Sequence, residues 1–66
     1  MLLTINGKTE QVENATTVAD LLEHFDIPPV RVAVEVNERL VPRAGYGQAP
    51  LQEGDTVEIV TFVGGG

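Results

Sequence analysis

The 66-residue sequence contains no cysteine and a single histidine, so neither disulfides nor a metal site of several histidine and cysteine ligands can staple so small a fold. Basic side chains are scarce as well: four, against ten acidic ones, leave a formal charge of −6. That balance repels phosphate backbones and anionic lipid headgroups, which argues against nucleic acid and membrane surfaces as partners. No stretch approaches the roughly 18 consecutive apolar residues of a membrane span, and Met1 is followed by no basic region with a cleavage-site pattern. The expected location is therefore the cytoplasm, and the lack of cysteine agrees with it. At this length folding removes only about 60% of the surface that the unfolded chain exposes, too little for a deep private cleft.

What is present is a globular balance, with 42% hydrophobic and 21% charged residues. Residues 1–66 are expected to form one domain, monomeric when free, held by packing alone. The acidic surface fits either a solubility device or a protein partner with a basic docking face.

Leu2 to Asn6 reads as a strand, and Asn6-Gly7 is a strong hairpin signal leading into a second strand from Lys8 to Val12. Thr17-Val18-Ala19-Asp20 has the form of a capping box with Thr17 as N-cap. The helix it predicts places Val18, Leu21, Leu22 and Phe25 at i, i+3, i+4 and i+7 on one face, with Asp20, Glu23 and His24 pointing away. Pro28 and Pro29 are expected to stop it. Val32 to Val36 alternates as a third strand, turns at Asn37-Glu38 into a short fourth over Arg39 to Val41, and meets Pro42. Arg43 to Gln52 has no period and reads as a loop anchored by Tyr46 and Leu51. After a turn at Glu53-Gly54-Asp55, Thr56 to Val63 forms the longest β-rich run, with Val57, Ile59, Thr61 and Val63 on one face and Glu58, Val60 and Phe62 on the other.

The order β-β-α-β-β-β, with one helix covering one face of a mixed sheet of four to five strands, predicts an α+β fold. A right-handed crossover would set the first and last strands side by side, the β-grasp arrangement.

Catalytic raw material is almost absent. His24 is the only candidate base and lies on the polar side of the helix, where Asp20 and Glu23 read as a solvated face rather than an acid/base pair. Tyr46 reads as a cap on the core. Gly45 and Gly47 lack the third glycine and the Lys-Ser/Thr signature of a phosphate loop.

The unusual feature is Gly64-Gly65-Gly66, directly after the last strand. Taken alone, the triplet fits a frayed tail or an expression remnant equally well. Placed by a folded domain, however, an exposed flexible tail free of side chains over 64–66 reaches about 10 Å and can present the Gly66 carboxylate in another protein's active site. On the sheet face the helix leaves open, Val60 and Phe62, with Leu2 and Ala33 and rimmed by Glu35 and Glu58, read as a docking surface for that partner.

Several segments, in this order, carry a family resemblance: Asn6-Gly7, Ala15 to Leu22, Val34-Glu35-Val36-Asn37, Val41-Pro42-Arg43 and Gly54 to Gly66. Together with the length, they make the chain resemble the ubiquitin-like sulfur carriers of thiamine thiazole biosynthesis. The resemblance implies a carrier with no catalytic residue and no bound cofactor. A ubiquitin-activating-type enzyme would use ATP to adenylate the Gly66 carboxylate. Sulfur relayed from a cysteine desulfurase would convert it to a thiocarboxylate, and thiazole synthase would take the sulfur. Gly64 and Gly65 would give the tail access. The alternatives are a molybdopterin-synthase small subunit, a protein-conjugating modifier and a plain interaction module.

Overall fold

A computed structural model describes residues 1–62. Strand β1 (Leu2–Ile5) is paired antiparallel with β2 (Lys8–Gln11). The turn between them has φ 51° at Asn6 and 82° at Gly7. Two successive left-handed residues match the twist of a two-residue hairpin, and Asn-Gly supplies them at least cost. The Asn37-Glu38 turn repeats the device, with φ 52° and 68°. It joins β3 (Val32–Val36) to β4 (Arg39–Val41).

Strand β5 (Thr56–Thr61) lies between these two hairpins, giving the order β2-β1-β5-β3-β4. It runs parallel to β1 and antiparallel to β3, so the first and last strands are neighbours, as the β-grasp reading requires. The β1 contribution is short because Asn6 turns out of the strand. Its side chain continues the ladder in place of the backbone: Ile59 N–H donates to Asn6 Oδ1 at 2.7 Å, and Asn6 Nδ2 donates to the Ile59 carbonyl at 3.1 Å.

Helix α1 (Val18–His24) crosses one face of the sheet. Val18, Leu21 and Leu22 are buried against Leu3, Ile5, Val34, Val57 and Ile59. The capping box forms as expected: Asp20 N–H donates to Thr17 Oγ1, and Asp20 Oδ2 accepts from Thr17 N–H. The two remaining orphan donors of the first turn are met from far along the chain, Val18 N–H by the Ala49 carbonyl and Ala19 N–H by the Tyr46 carbonyl, both at 3.0 Å. The 43–52 loop is held by these bonds, by a 3₁₀ turn at Arg43–Gly45 and by buried Tyr46 and Leu51. Tyr46 O–H donates to the Val32 carbonyl at 3.2 Å.

Two expectations need correction. The prolines do not stop the helix. It ends earlier in a Schellman motif, where Asp26 takes φ 57°, Ile27 N–H donates to the Leu22 carbonyl at 2.8 Å and Asp26 N–H to the Glu23 carbonyl at 3.1 Å. Pro29 instead opens a 3₁₀ turn, Pro29–Arg31. Because the helix has closed by then, Phe25 (φ −99°, ψ 8°) leaves the apolar stripe and is 37% exposed, its ring edge-on to His24 at 4.7 Å. The last strand is also shorter than its β-rich run: Thr61 is its final residue and is exposed rather than core.

Candidate functional site

The covered face of the sheet is filled, so chemistry or recognition has to be sought on the open face and at the strand end that leads toward residue 66. Antiparallel register fixes what stands there. Ala33 faces Val60, and Glu35 faces Glu58. Phe62 N–H donates to the Arg31 carbonyl at 2.8 Å, which carries the same register one step further. Val57 and Ile59 point into the core, so the alternate residues Glu58, Val60 and Phe62 point away from it. Val60, on a central strand, is 58% exposed, and Phe62, just past its end, is 54% exposed.

The fold therefore brings Val60, Phe62, Ala33, Glu35 and Glu58 onto one surface. It does not bring Leu2 there. Thr4 is level with Thr56, so Leu2 lies beside Gly54, whose N–H donates to the Leu2 carbonyl at 2.8 Å. Six residues of strand, about 20 Å, separate that level from Val60. Leu40, 67% exposed and opposite Glu35 on β4, takes the place expected for Leu2. The period-2 pattern of β4 carries the signal for Leu40, because Val41 packs on the core side. Arg31, the last residue of the 3₁₀ turn, enters the sheet only through its carbonyl, which accepts from Phe62 N–H. Gly64, Gly65 and Gly66 lie outside the described residues.

The other candidates occupy structural roles. His24 and Glu23 are exposed on the helix. Asp20 accepts hydrogen bonds from Thr16 N–H (3.0 Å), Thr16 Oγ1 (2.8 Å) and Thr17 N–H (3.2 Å). The Thr16 backbone bond first, then its hydroxyl, hold the carboxyl below its ordinary value of 3.8, so Asp20 is a capping anion and not a proton donor near neutrality. Among the described residues no group of His, Asp and Glu is arranged to hold a metal ion, and no helix is long and apolar enough to cross a membrane.

Comparison with known proteins agrees with the fold. The model of the ThiS family matches residues 2–66. The crystal structure of the thiamine biosynthesis protein ThiS from Geobacter metallireducens superposes with a TM-score of 0.85 at 35% identity, covering all of both chains, and so shares the five-stranded sheet and single helix. The Bacillus subtilis sulfur carrier protein ThiS is 36% identical over 98% of this chain and 100% of its own length. Thiazole synthase of Magnetococcus marinus is 42% identical over the whole of this chain, which spans only 20% of that protein's length. A second thiazole synthase, from Paramagnetospirillum magneticum, is 41% identical with the same coverage. With the family model spanning almost every residue and a superposable fold, this chain belongs to the ThiS family.

Proposed function

We propose that the chain is a sulfur carrier for thiamine biosynthesis, in which Gly66 is the modified residue and the open sheet face docks the enzymes that act on it. The observation that carries this reading is the likeness, over essentially full length, to a sulfur carrier protein. It is joined by an exposed apolar surface on the strand that runs toward the glycines.

A carboxylate is a poor electrophile. In the proposed cycle an adenylating enzyme joins the Gly66 carboxylate to AMP, with pyrophosphate leaving from ATP. A persulfide, formed on a protein cysteine with sulfur from a cysteine desulfurase, attacks the acyl carbon and expels AMP, forming an acyl disulfide. A thiol then reduces that disulfide, releasing the thiocarboxylate. ATP and sulfur belong to the partners, and this chain supplies placement: β5 fixes where the tail begins, while Gly64 and Gly65 let it pass a narrow channel without side chains. Thiazole synthase is the proposed recipient, supported by the two thiazole synthases that themselves contain a segment similar to this chain.

Deleting Gly66, or adding an alanine after it, tests the assignment. Deletion withdraws the carboxylate by about 3.5 Å. A misplacement of about 1 Å is enough to lower rates roughly a hundredfold. Both variants should keep the parental melting temperature and lose thiazole formation in a reconstituted system of adenylating enzyme, sulfur donor and synthase. Full activity of the extended chain would overturn the role of Gly66.

A further inference from the structure

We infer that Asn6 is a positioning residue for the transfer reaction: its side chain clamps β5 at Ile59 and so fixes the strand that delivers the Gly66 carboxylate. This rests on the sulfur-carrier reading and adds to it the device that aims the tail.

The parallel ladder between β1 and β5 runs out early. Thr4 N–H donates to the Asp55 carbonyl at 3.0 Å and Asn6 N–H to the Val57 carbonyl at 2.9 Å. The next rung falls at Ile59, but the chain has already turned away at Asn6 and Gly7. The Asn6 amide supplies that rung from its side chain, accepting from Ile59 N–H at 2.7 Å and donating to the Ile59 carbonyl at 3.1 Å. Among the described residues no other hydrogen bond reaches β5 beyond Val57 from this side. Past Ile59 the strand is hydrogen-bonded through its other edge, where Val60 pairs with Ala33 and Phe62 N–H donates to the Arg31 carbonyl at 2.8 Å. Ile59 is therefore the last described point at which β5 is supported on both edges.

Two demands meet at Asn6. The turn requires φ 51°, which glycine, asparagine and aspartate adopt at least cost. The rung requires a donor and an acceptor side by side, and of the three only asparagine has both in its side chain. A hairpin needs only the first property, so the second serves β5. Were β5 to loosen beyond Ile59, the stretch between its last fixed point and the carboxylate would grow from the four residues beyond Phe62 to the seven beyond Ile59. The concentration of a tethered group at its target falls roughly as the −3/2 power of tether length, about twofold here. Loss of orientation adds to this, because reacting geometry tolerates an error of only about 1 Å.

The experiment measures thiocarboxylate formation against carrier concentration, with the adenylating enzyme, ATP, a sulfur donor and a thiol, and the melting temperature of each chain. Asn6→Gly keeps the left-handed turn and removes the clamp. It should lower kcat about fivefold and shift KM by less than about twofold, since register with β3 still presents the open face. Thr17→Ala removes the cap that accepts from Asp20 N–H at the start of the helix. It should cost a similar 4 to 8 °C or so in melting temperature and change kcat by less than about 1.5-fold. Asn6→Asp keeps the turn and the acceptor but loses the donor, and should lower kcat as well, so poor folding of Asn6→Gly leaves the test intact. Amide exchange gives a readout that a turn residue alone would not move. Phe62 N–H, bonded on the opposite edge of β5, should exchange about fivefold faster in Asn6→Gly than in Thr17→Ala. Parental kcat in the folded Asn6 variants, a loss confined to KM, an equal kcat loss in Thr17→Ala, or equal Phe62 exchange in Asn6→Gly and Thr17→Ala would each overturn the positioning role. Thiocarboxylate formation on the unaltered chain alongside any of those results leaves the carrier reading standing, while its absence rejects the carrier reading and the role of Asn6 with it.

Discussion

The two faces of the sheet are built by the same alternation and share β3 and β5, yet they do different things. On the covered face Leu3, Val34 and Val57 meet Val18, Leu21 and Leu22 with essentially no solvent contact. On the open face Val60, Phe62 and Leu40 remain more than half exposed. Apolar burial is what stabilises so small a domain without disulfides, so stability resides on the first face. Apolar side chains left in water on the second contribute little to the fold, and their natural use is burial against another protein. The difference implies that stability and function can be altered independently.

The largest expected effect breaks the covered face. Leu22→Ala should cost about 2 to 5 kcal/mol. The total for so small a domain is only about 5 kcal/mol, so at most about 3 kcal/mol should remain and the denaturation midpoint should fall by about 40% or more. Chemical denaturation checks this, and a parental midpoint would show that the helix stripe is not the core.

Phe62→Asp and Val60→Asp probe the open face. Each should cost about 2 kcal/mol of binding to the adenylating enzyme, roughly thirtyfold in affinity. Melting should shift little. Unfolding of either variant would erase the contrast between the faces.

Tyr46→Phe sharpens the comparison at the edge of the core. It leaves the buried Val32 carbonyl without its 3.2 Å partner, at a cost of about 1 kcal/mol. That is about 4 to 8 °C in melting temperature for a domain of this size. Docking should be untouched.

The smallest effect concerns Asp20, whose folded-state pKa is depressed below 3.8. A depressed carboxyl contributes stability that is present above the unfolded value and lost as pH falls through the folded one. Asp20→Asn should therefore melt below the parent at neutral pH, and the gap should shrink as pH drops below 3.8. A gap independent of pH would mean that the loss is one of shape and not of charge.

Much of this was legible in the sequence wherever the cause is local. Asn6-Gly7 and Asn37-Glu38 each dictate a turn within two residues, and Thr17 with Asp20 dictates a helix start within four. In the 43–52 loop the anchors Tyr46 and Leu51 were legible, but its conformation was not, because two of its carbonyls serve N–H groups about thirty positions away. The helix end was misread since Asp26 occupies the left-handed position usually given to glycine, leaving the later prolines as the visible signal. On the open face, Val60, Phe62, Glu35 and Glu58 followed from alternation within single strands. Leu2 and Leu40 depended on register between strands, which no single segment encodes.

The most direct test of the account is the intact mass of the unaltered 66-residue chain after incubation with the adenylating enzyme, ATP, a sulfur donor and a thiol. Exchange of one carboxylate oxygen for sulfur should add about 16 Da, from atomic masses alone. Fragmentation should place that mass on Gly66, the terminal position that a tail of three bare residues can carry about 10 Å from the last strand. A chain that never gains this mass, or gains it elsewhere, would contradict the carrier role.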